Sequence, residues 1–501
     1  MTQLLQRIEK IANRLPHPMA LFMYLCVIVV ALSAVGQGAS WQAQHPATGQ
    51  WIVVNSLVST DGIVFMLSSL VKNFMSFAPV GPVILMALAF SLAEKSGLLP
   101  ALITQFTQNS PAGMLAVAIA FLGVMSSIAV DSGYVVLLPL CAAVFWAAGR
   151  NPIAGLALGF ACVSGGFSAN LLVGPVDAML SGISSEALSL VADQDVSILA
   201  NYYFLIVSVF VVVASCVLVN RFWVEPYLVN SSGDSVASSN AQLEPKQYQA
   251  NSNDGAGFGK VFYLTLLGVV IIWLGLTLPE GAILQNEQRG LLKGPFMASL
   301  VALIALSVAI LATVYGIQQG RLNSWPKWVK ALEQGVVDIA PYLALMFVVA
   351  QFVAWFKWSS LGLVLAVQLA SILEGFAISG PLAMIGLMLF TALLNLFIGS
   401  ASAKWALLAP IIIPAFFLLG IEPEAVQGAY RVADSSTNII TPLMPYFPLV
   451  LAYAHKYDTS VTVGRLLTIM LPYAVTLLVV WGGLLTVWLW LGWPLGPIAS
   501  N

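Results

Sequence analysis

Five ionisable side chains stand inside otherwise apolar stretches: Asp131, Asp177, Lys404, Arg431 and Asp434. A charge at the centre of a membrane span costs about 2.5–3.5 kcal/mol on insertion scales, so such residues imply partners or a task. Arg431 and Asp434 are three positions apart, which on a helix places them on one face. There they would neutralise each other while the planar guanidinium presents its fork to a carboxylate; a purely structural ion pair is the plainer reading. Asp131, within SSIAVDSG, would hold a cation or carry a proton, or else sit in interfacial water. Ser168 and Asn170 in one segment, and Ser435, Ser436, Thr437 and Asn438 in another, offer the oxygens that suit Na⁺. Taken singly, each serves equally well to satisfy a broken backbone; as two clusters they point to a binding role. Trp405, next to Lys404, offers an aromatic substrate a stacking face and one N–H donor.

These side chains need a lipid-embedded framework, and the composition supplies one. Of the 501 residues, 59% are apolar and 8% charged, against about 45–50% and about 25% in soluble domains. The net charge of −2 and the lack of any basic stripe exclude nucleic acid as a partner. The four cysteines, Cys26, Cys141, Cys162 and Cys216, are scattered through apolar runs, as packing residues rather than metal ligands or disulfides. The three histidines, His17, His45 and His455, lie near span ends, and there is neither an HExxH motif nor a nucleotide-binding loop. An enzyme is therefore not expected, and no cofactor beyond a coupling ion, Na⁺ or H⁺. Polarity gathers in two discrete breaks rather than along a continuous pore, which argues against a passive channel.

Apolar runs of about 20 residues mark the spans, and Lys and Arg mark their cytoplasmic ends. An amphipathic start with Arg7, Lys10 and Arg14 precedes a first span over about 19–38, and the following loop carries no basic residue. The N-terminus is expected in the cytoplasm, with no signal peptide removed. Further crossings are predicted near 79–93, 199–220, 261–279, 295–316 and 336–356, and the sequences around 62–77 and 358–376 read as interfacial helices. Trp355, Trp358, Trp488, Trp490 and Trp493 read as an interfacial belt.

The chain divides into residues 1–60, a first repeat over 61–220, a cytoplasmic linker over 221–260, two scaffold spans over 261–330 and a second repeat over 331–501. The repeats share landmarks. Pro139 is followed by Gly149 and Pro152 ten and thirteen residues later, and Pro410 by Gly420 and Pro423 at the same spacings. FSANLLVGP stands against SSTNIITP, and SFAPVGP against VDIAPYL. The two Gly/Pro loops, GRNP and GIEP, are basic and acidic, which predicts opposite membrane faces and an inverted repeat. Before each loop a long segment, about 113–148 and about 382–420, reads as a re-entrant hairpin with a small polar tip. After each comes a helix broken by Gly, Ser, Asn and Pro, about 152–182 and about 424–453. The fold class is thus all-α and polytopic, with nine transmembrane helices, two re-entrant hairpins and a C-terminus outside. Irregular backbone at membrane depth needs cover, so hairpin tips and breaks would enclose an internal site.

Taken together, ANRLPHP, SSIAVDSGYVVLLPL, GRNPIAGLALGFACVSGGFSANLLVGPVDAML, FVAWFKWSSLG, GSASAKWALLAPIIIP and RVADSSTNIITPLMPYFPL give the chain a strong likeness to known transporters. The sequence resembles the p-aminobenzoyl-glutamate transporter (AbgT) family, within the ion transporter superfamily, over nearly its whole length. The resemblance implies a bowl-shaped homodimer in the bacterial inner membrane, with nine spans and two hairpins per subunit. It places functional roles on Asp177, Asn395, Ser402, Trp405, Pro423, Arg431, Asp434 and Pro442. It also implies uptake of p-aminobenzoyl-glutamate or export of sulfonamide antimetabolites. The expectation is an ion-coupled secondary transporter in which Arg431 holds a substrate carboxylate and Trp405 its ring. Asp131, Ser168, Asn170, Asn395, Asp434, Ser436, Thr437 and Asn438 are the expected cation ligands. The alternative is a Na⁺-coupled dicarboxylate carrier.

Overall fold

The computed structural model describes residues 18–44, 51–78, 80–102, 114–129, 134, 137–231, 258–279, 281–285, 295–375, 380–441, 444 and 446–497. The expected amphipathic N-terminal arm, most of the expected linker, Asp131 and Pro442 lie outside these residues.

Helix α1 (Pro18–Gly38) is followed by a small antiparallel ribbon of β1 (Gln42–Gln44) and β2 (Trp51–Val53), then by α2 (Thr60–Ser68) and α3 (Leu70–Met75). The scaffold consists of α4 (Val80–Lys95), α11 (Lys260–Thr277), α12 (Pro295–Gln318) and α13 (Trp325–Trp358), with α4 packed between α12 and α13. Between α4 and α11 come α5 (Leu115–Met125), α6 (Leu138–Ala147), α7 (Pro152–Phe160), α8 (Pro175–Leu188), α9 (Tyr202–Val219) and α10 (Glu225–Ser231). After α13 come α14 (Leu361–Gly375), α15 (Gly380–Asn395), α16 (Ala401–Leu418), α17 (Pro423–Asn438), α18 (Phe447–His455) and α19 (Val463–Trp490).

Among the described residues, seven helices are long and apolar enough to cross a bilayer. Helix α13 begins at Trp325, well before the predicted 336, because Pro326 opens its first turn and its early Lys327, Lys330 and Glu333 precede the apolar run. Helix α16, read as one arm of a hairpin, is 18 residues long, or about 27 Å. The helices expected as arms of the first hairpin, α5 and α6, have 11 and 10 residues. The arms rest mainly on the broken helices rather than on each other: α6 lies along α7, and α15 along α17. Trp488, expected in the interfacial belt, is instead buried beneath the C-terminal loop and donates to the Pro494 carbonyl at 3.2 Å.

Both predicted helix breaks are present. Helix α7 loosens into a π-turn over Ala161–Gly165, and the chain stays non-helical until Pro175. Helix α17 stops at Asn438, and α18 starts at Phe447. The preceding Gly/Pro loops share one construction. Gly149 and Gly420 adopt φ of +69° and +75°, the left-handed region that glycine enters without a Cβ penalty, and Pro152 and Pro423 then open the next helix. Asn151 adds a cap, its side-chain oxygen accepting from the Ile153 N–H at 2.9 Å.

The second part of each broken helix packs against the other half: α8 against α16, and α18 against α6 and α7. Tyr134, between α5 and α6, stacks on Tyr446, in the second break, with ring centroids 4.0 Å apart. The Gly/Pro loops sit at opposite ends of α9. Gly420 and Glu422 line a cavity with Ala200 and Leu495 at its start, and Arg150 pairs with Glu225 just beyond its finish. Tyr202 to Glu225 spans ~35 Å at the helical rise, comparable to a bilayer core.

Candidate functional site

The two breaks converge on a buried polar centre. Helix α17 carries a polar stripe through the core, because Gln427, Arg431, Asp434 and Asn438 recur at helical spacing and are all buried. Helix α8 contributes Asp177 in its first turn, α16 contributes Lys404 and Trp405, and α15 contributes its last residue, Asn395.

The expected pairing of Arg431 with Asp434 is not what forms. Arg431 pairs with Asp177 of the first half, and Asp434 pairs with Lys404 of α16. The reason is directional. Side chains three apart share a face but both project away from the helix axis, and here a neighbouring element presents each with an opposite charge. All four are at most 3% exposed, so each charge depends on its partner.

Both carboxylate oxygens of Asp177 are engaged. One carboxylate oxygen takes the Arg431 guanidinium; the other accepts from the Gly174 N–H at 2.8 Å and from Asn170 Nδ2 at 3.0 Å. As the third residue of α8 it caps that helix and faces the positive end of its dipole. Arg431 also reaches the Ser168 carbonyl at 3.4 Å. The first break is thus held shut by a cation from the second half. Arg431 Nε and Asn170 Oδ1 are buried without a hydrogen-bond partner.

Around Asp434, Asn395 Nδ2 donates to its main-chain carbonyl at 2.6 Å and to Thr437 Oγ1 at 2.8 Å, while Asn395 Oδ1 accepts from Lys404 Nζ. The Ser436 and Thr437 hydroxyls donate to the carbonyls of Val432 and Ala433, four residues back, which leaves oxygen lone pairs free to accept. Ser435 Oγ and Asn438 Oδ1 are buried without partners.

The open stacking face expected of Trp405 is not presented. The indole is fully buried, its N–H donates to Ser184 Oγ at 3.0 Å and the Leu180 carbonyl at 3.3 Å, and its ring lies 4.5 Å from that of Tyr430. A buried indole needs a partner for its N–H, and α8 supplies one. Sequence reasoning missed the chain that follows: Gln427 Nε2 donates to Ser184 Oγ at 2.8 Å, and Asn201 Nδ2 to Gln427 Oε1 at 2.7 Å. Gln427 lies four residues before Arg431 on the same stripe, the one signal by which it was legible. Ser402 stands apart in the half-exposed first turn of α16, 3.2 Å from Ser400 Oγ. Pro423 lies eight residues before Arg431, about 12 Å along the axis, buried between Glu422 and Glu424, which line a cavity of about 420 Å³.

Among the described residues no cluster of His, Cys, Asp or Glu could hold a metal ion, and the four cysteines are buried and unpaired. The sequence model of the AbgT putative transporter family matches residues 3–501. The chain is 34% identical to the p-aminobenzoyl-glutamate transport protein of Escherichia coli (strain K12), an alignment that covers 98% of this chain and 95% of that one. Among solved structures, it is similar to the Alcanivorax borkumensis YdaH transporter, with a TM-score of 0.89, 44% identity and coverage of 96% of this chain and all (100%) of that one. Similarity to Neisseria gonorrhoeae MtrF, described as illuminating a class of antimetabolite efflux pumps, has a TM-score of 0.87, 36% identity and coverage of 99% and 100%.

Proposed function

Since this chain belongs to the AbgT putative transporter family, and so is a transport protein rather than an enzyme, we propose that it is an ion-coupled secondary transporter of p-aminobenzoyl-glutamate or p-aminobenzoate-like aromatic carboxylates, the same site serving export of sulfonamide antimetabolites. The observation that carries this reading is the crossed pair of ion pairs, Arg431 with Asp177 and Lys404 with Asp434, at the meeting of the two broken helices. Two cations and two carboxylates sum to zero in a dry centre. A substrate carboxylate therefore enters by displacing Asp177 from Arg431, and a cation must accompany it to neutralise the released aspartate. That requirement is the physical basis of coupling, by Na⁺ or H⁺, as symport or antiport. Ser168 and Asn170 at the first break supply oxygens for that cation, and Asn395, Asp434, Ser436, Thr437 and Asn438 at the second surround a further cation position. Trp405 meets a substrate ring only after the second hairpin has moved, because here its indole is covered.

The placement of the Gly/Pro loops at opposite ends of α9, with the reciprocal packing of α8 on α16 and α18 on α6, supports an inverted repeat of nine spans and two hairpins. It sits in a bacterial inner membrane as a homodimer, N-terminus cytoplasmic and C-terminus periplasmic. The test is purified protein in liposomes, given labelled p-aminobenzoyl-glutamate under separate Na⁺ and proton gradients. Accumulation driven by one gradient is expected, and none under either refutes the proposal. The buried Trp405 favours a second reading, a Na⁺-coupled dicarboxylate carrier that needs no aromatic contact; competition by succinate distinguishes it.

A further inference from the structure

Lys404 is placed against two physical costs. It lies in the first turn of α16, capped by Ser400, where the positive end of the helix dipole repels an ammonium, and it is fully buried, where the ammonium loses its water. What holds it is specific. Its Nζ meets a carboxylate oxygen of Asp434 and Oδ1 of Asn395. The Asn395 amide has one orientation, because its Nδ2 faces two acceptors, the Asp434 carbonyl at 2.6 Å and Thr437 Oγ1 at 2.8 Å. Its Oδ1 is therefore turned to the ammonium. Asn395 also ends α15, so the negative end of that helix dipole faces the same point. A carboxylate oxygen, an amide oxygen and a helix C-terminus make the surroundings of a hard cation, and the charge at their centre is an ammonium.

We infer that Lys404 is the resident cation of the second break: its ammonium occupies the position a Na⁺ would take in this cage, so this break binds no Na⁺. The inference deepens the ion-coupled reading and rests on it for why a cation belongs here. Because the ammonium is tethered to α16, it leaves the cage only when that hairpin moves, and hairpin motion is then also motion of a charge. Any Na⁺ dependence of the protein arises elsewhere than at Thr437 and Asp434.

The test is thermal unfolding of the purified full-length protein in detergent, in NaCl against choline chloride at equal ionic strength. Lys404→Met empties the cage and is expected to gain a saturable, Na⁺-specific upward shift of Tm, which Asp434→Asn in the same chain abolishes. Folded Lys404→Met with no such gain overturns the inference. Should that variant fail to fold, the wild type decides through equilibrium binding of radioactive Na⁺: bound Na⁺ that Thr437→Ala removes overturns the inference, and the lack of any Thr437-dependent Na⁺ supports it. No readout involves substrate, so failure here is distinct from failure of the transport proposal.

Discussion

At Arg431 the guanidinium is shut away from water, and an aspartate from the other half of the chain neutralises it. Removing one member of such a pair strands its partner, at about 3–5 kcal/mol, whereas removing both costs less. Arg431→Ala is accordingly expected to abolish transport and to lower Tm, and the double variant with Asp177→Ala to regain part of the Tm. A double-mutant cycle in detergent should give Arg431 and Asp177 a coupling of about 1–3 kcal/mol, and Arg431 and Asp434 a clearly smaller one. Equal couplings would restore the same-helix pair that the spacing alone suggests. At Trp405 the indole fills core volume and donates to Ser184. Trp405→Phe, which keeps most of the volume, should cost about 1 kcal/mol, and Trp405→Ala about 3–5 kcal/mol, measured as unfolding of purified protein.

The two Gly/Pro loops are alike where backbone decides. A Cβ on Gly149 or Gly420 would meet no atom within 4 Å, so Gly→Ala there adds only left-handed strain, about 1–2 kcal/mol each. Gly155 differs: its Cβ would lie 2.5 Å from the Cys141 carbonyl oxygen, where α6 packs on α7. Gly149→Ala and Gly420→Ala are expected to lower Tm slightly and equally, and Gly155→Ala to reduce folded yield sharply in size-exclusion profiles. An unequal pair would deny that the loops are one construction used twice. The spacing of Pro, Gly and Pro made these loops legible, because proline and glycine act through their own backbone. The unequal lengths of the expected hairpin arms were not legible, since beyond Lys404 α16 is apolar and its two prolines, Pro410 and Pro414, lie inside the helix rather than ending it.

Over the whole molecule, α9 runs from the cavity beside Glu422 to the Arg150–Glu225 pair, which sets the two loops about a bilayer thickness apart. With the four native cysteines buried, single cysteines at the exposed Ala148 and Glu422 positions report sidedness cleanly. A membrane-impermeant thiol reagent applied to intact cells should modify Glu422→Cys, and Ala148→Cys only after permeabilisation. Modification of both from outside would remove the inverted repeat and the neutral centre that the two halves build between them.

The amino-acid sequence determined that this chain lives in lipid, where its helices break, and which charges are too costly to be idle, because composition, proline and glycine positions and intramembrane charges act locally or against the solvent. Which charge meets which was decided only by the tertiary structure. Asp177 and Arg431 are 254 residues apart, and their pairing depends on how α8 and α16 from different halves seat around α17, as do the Lys404 cage and the covering of Trp405. Those contacts are fixed by packing across the two halves, and helical spacing shows which residues share a face of α17 but not which neighbour that face meets.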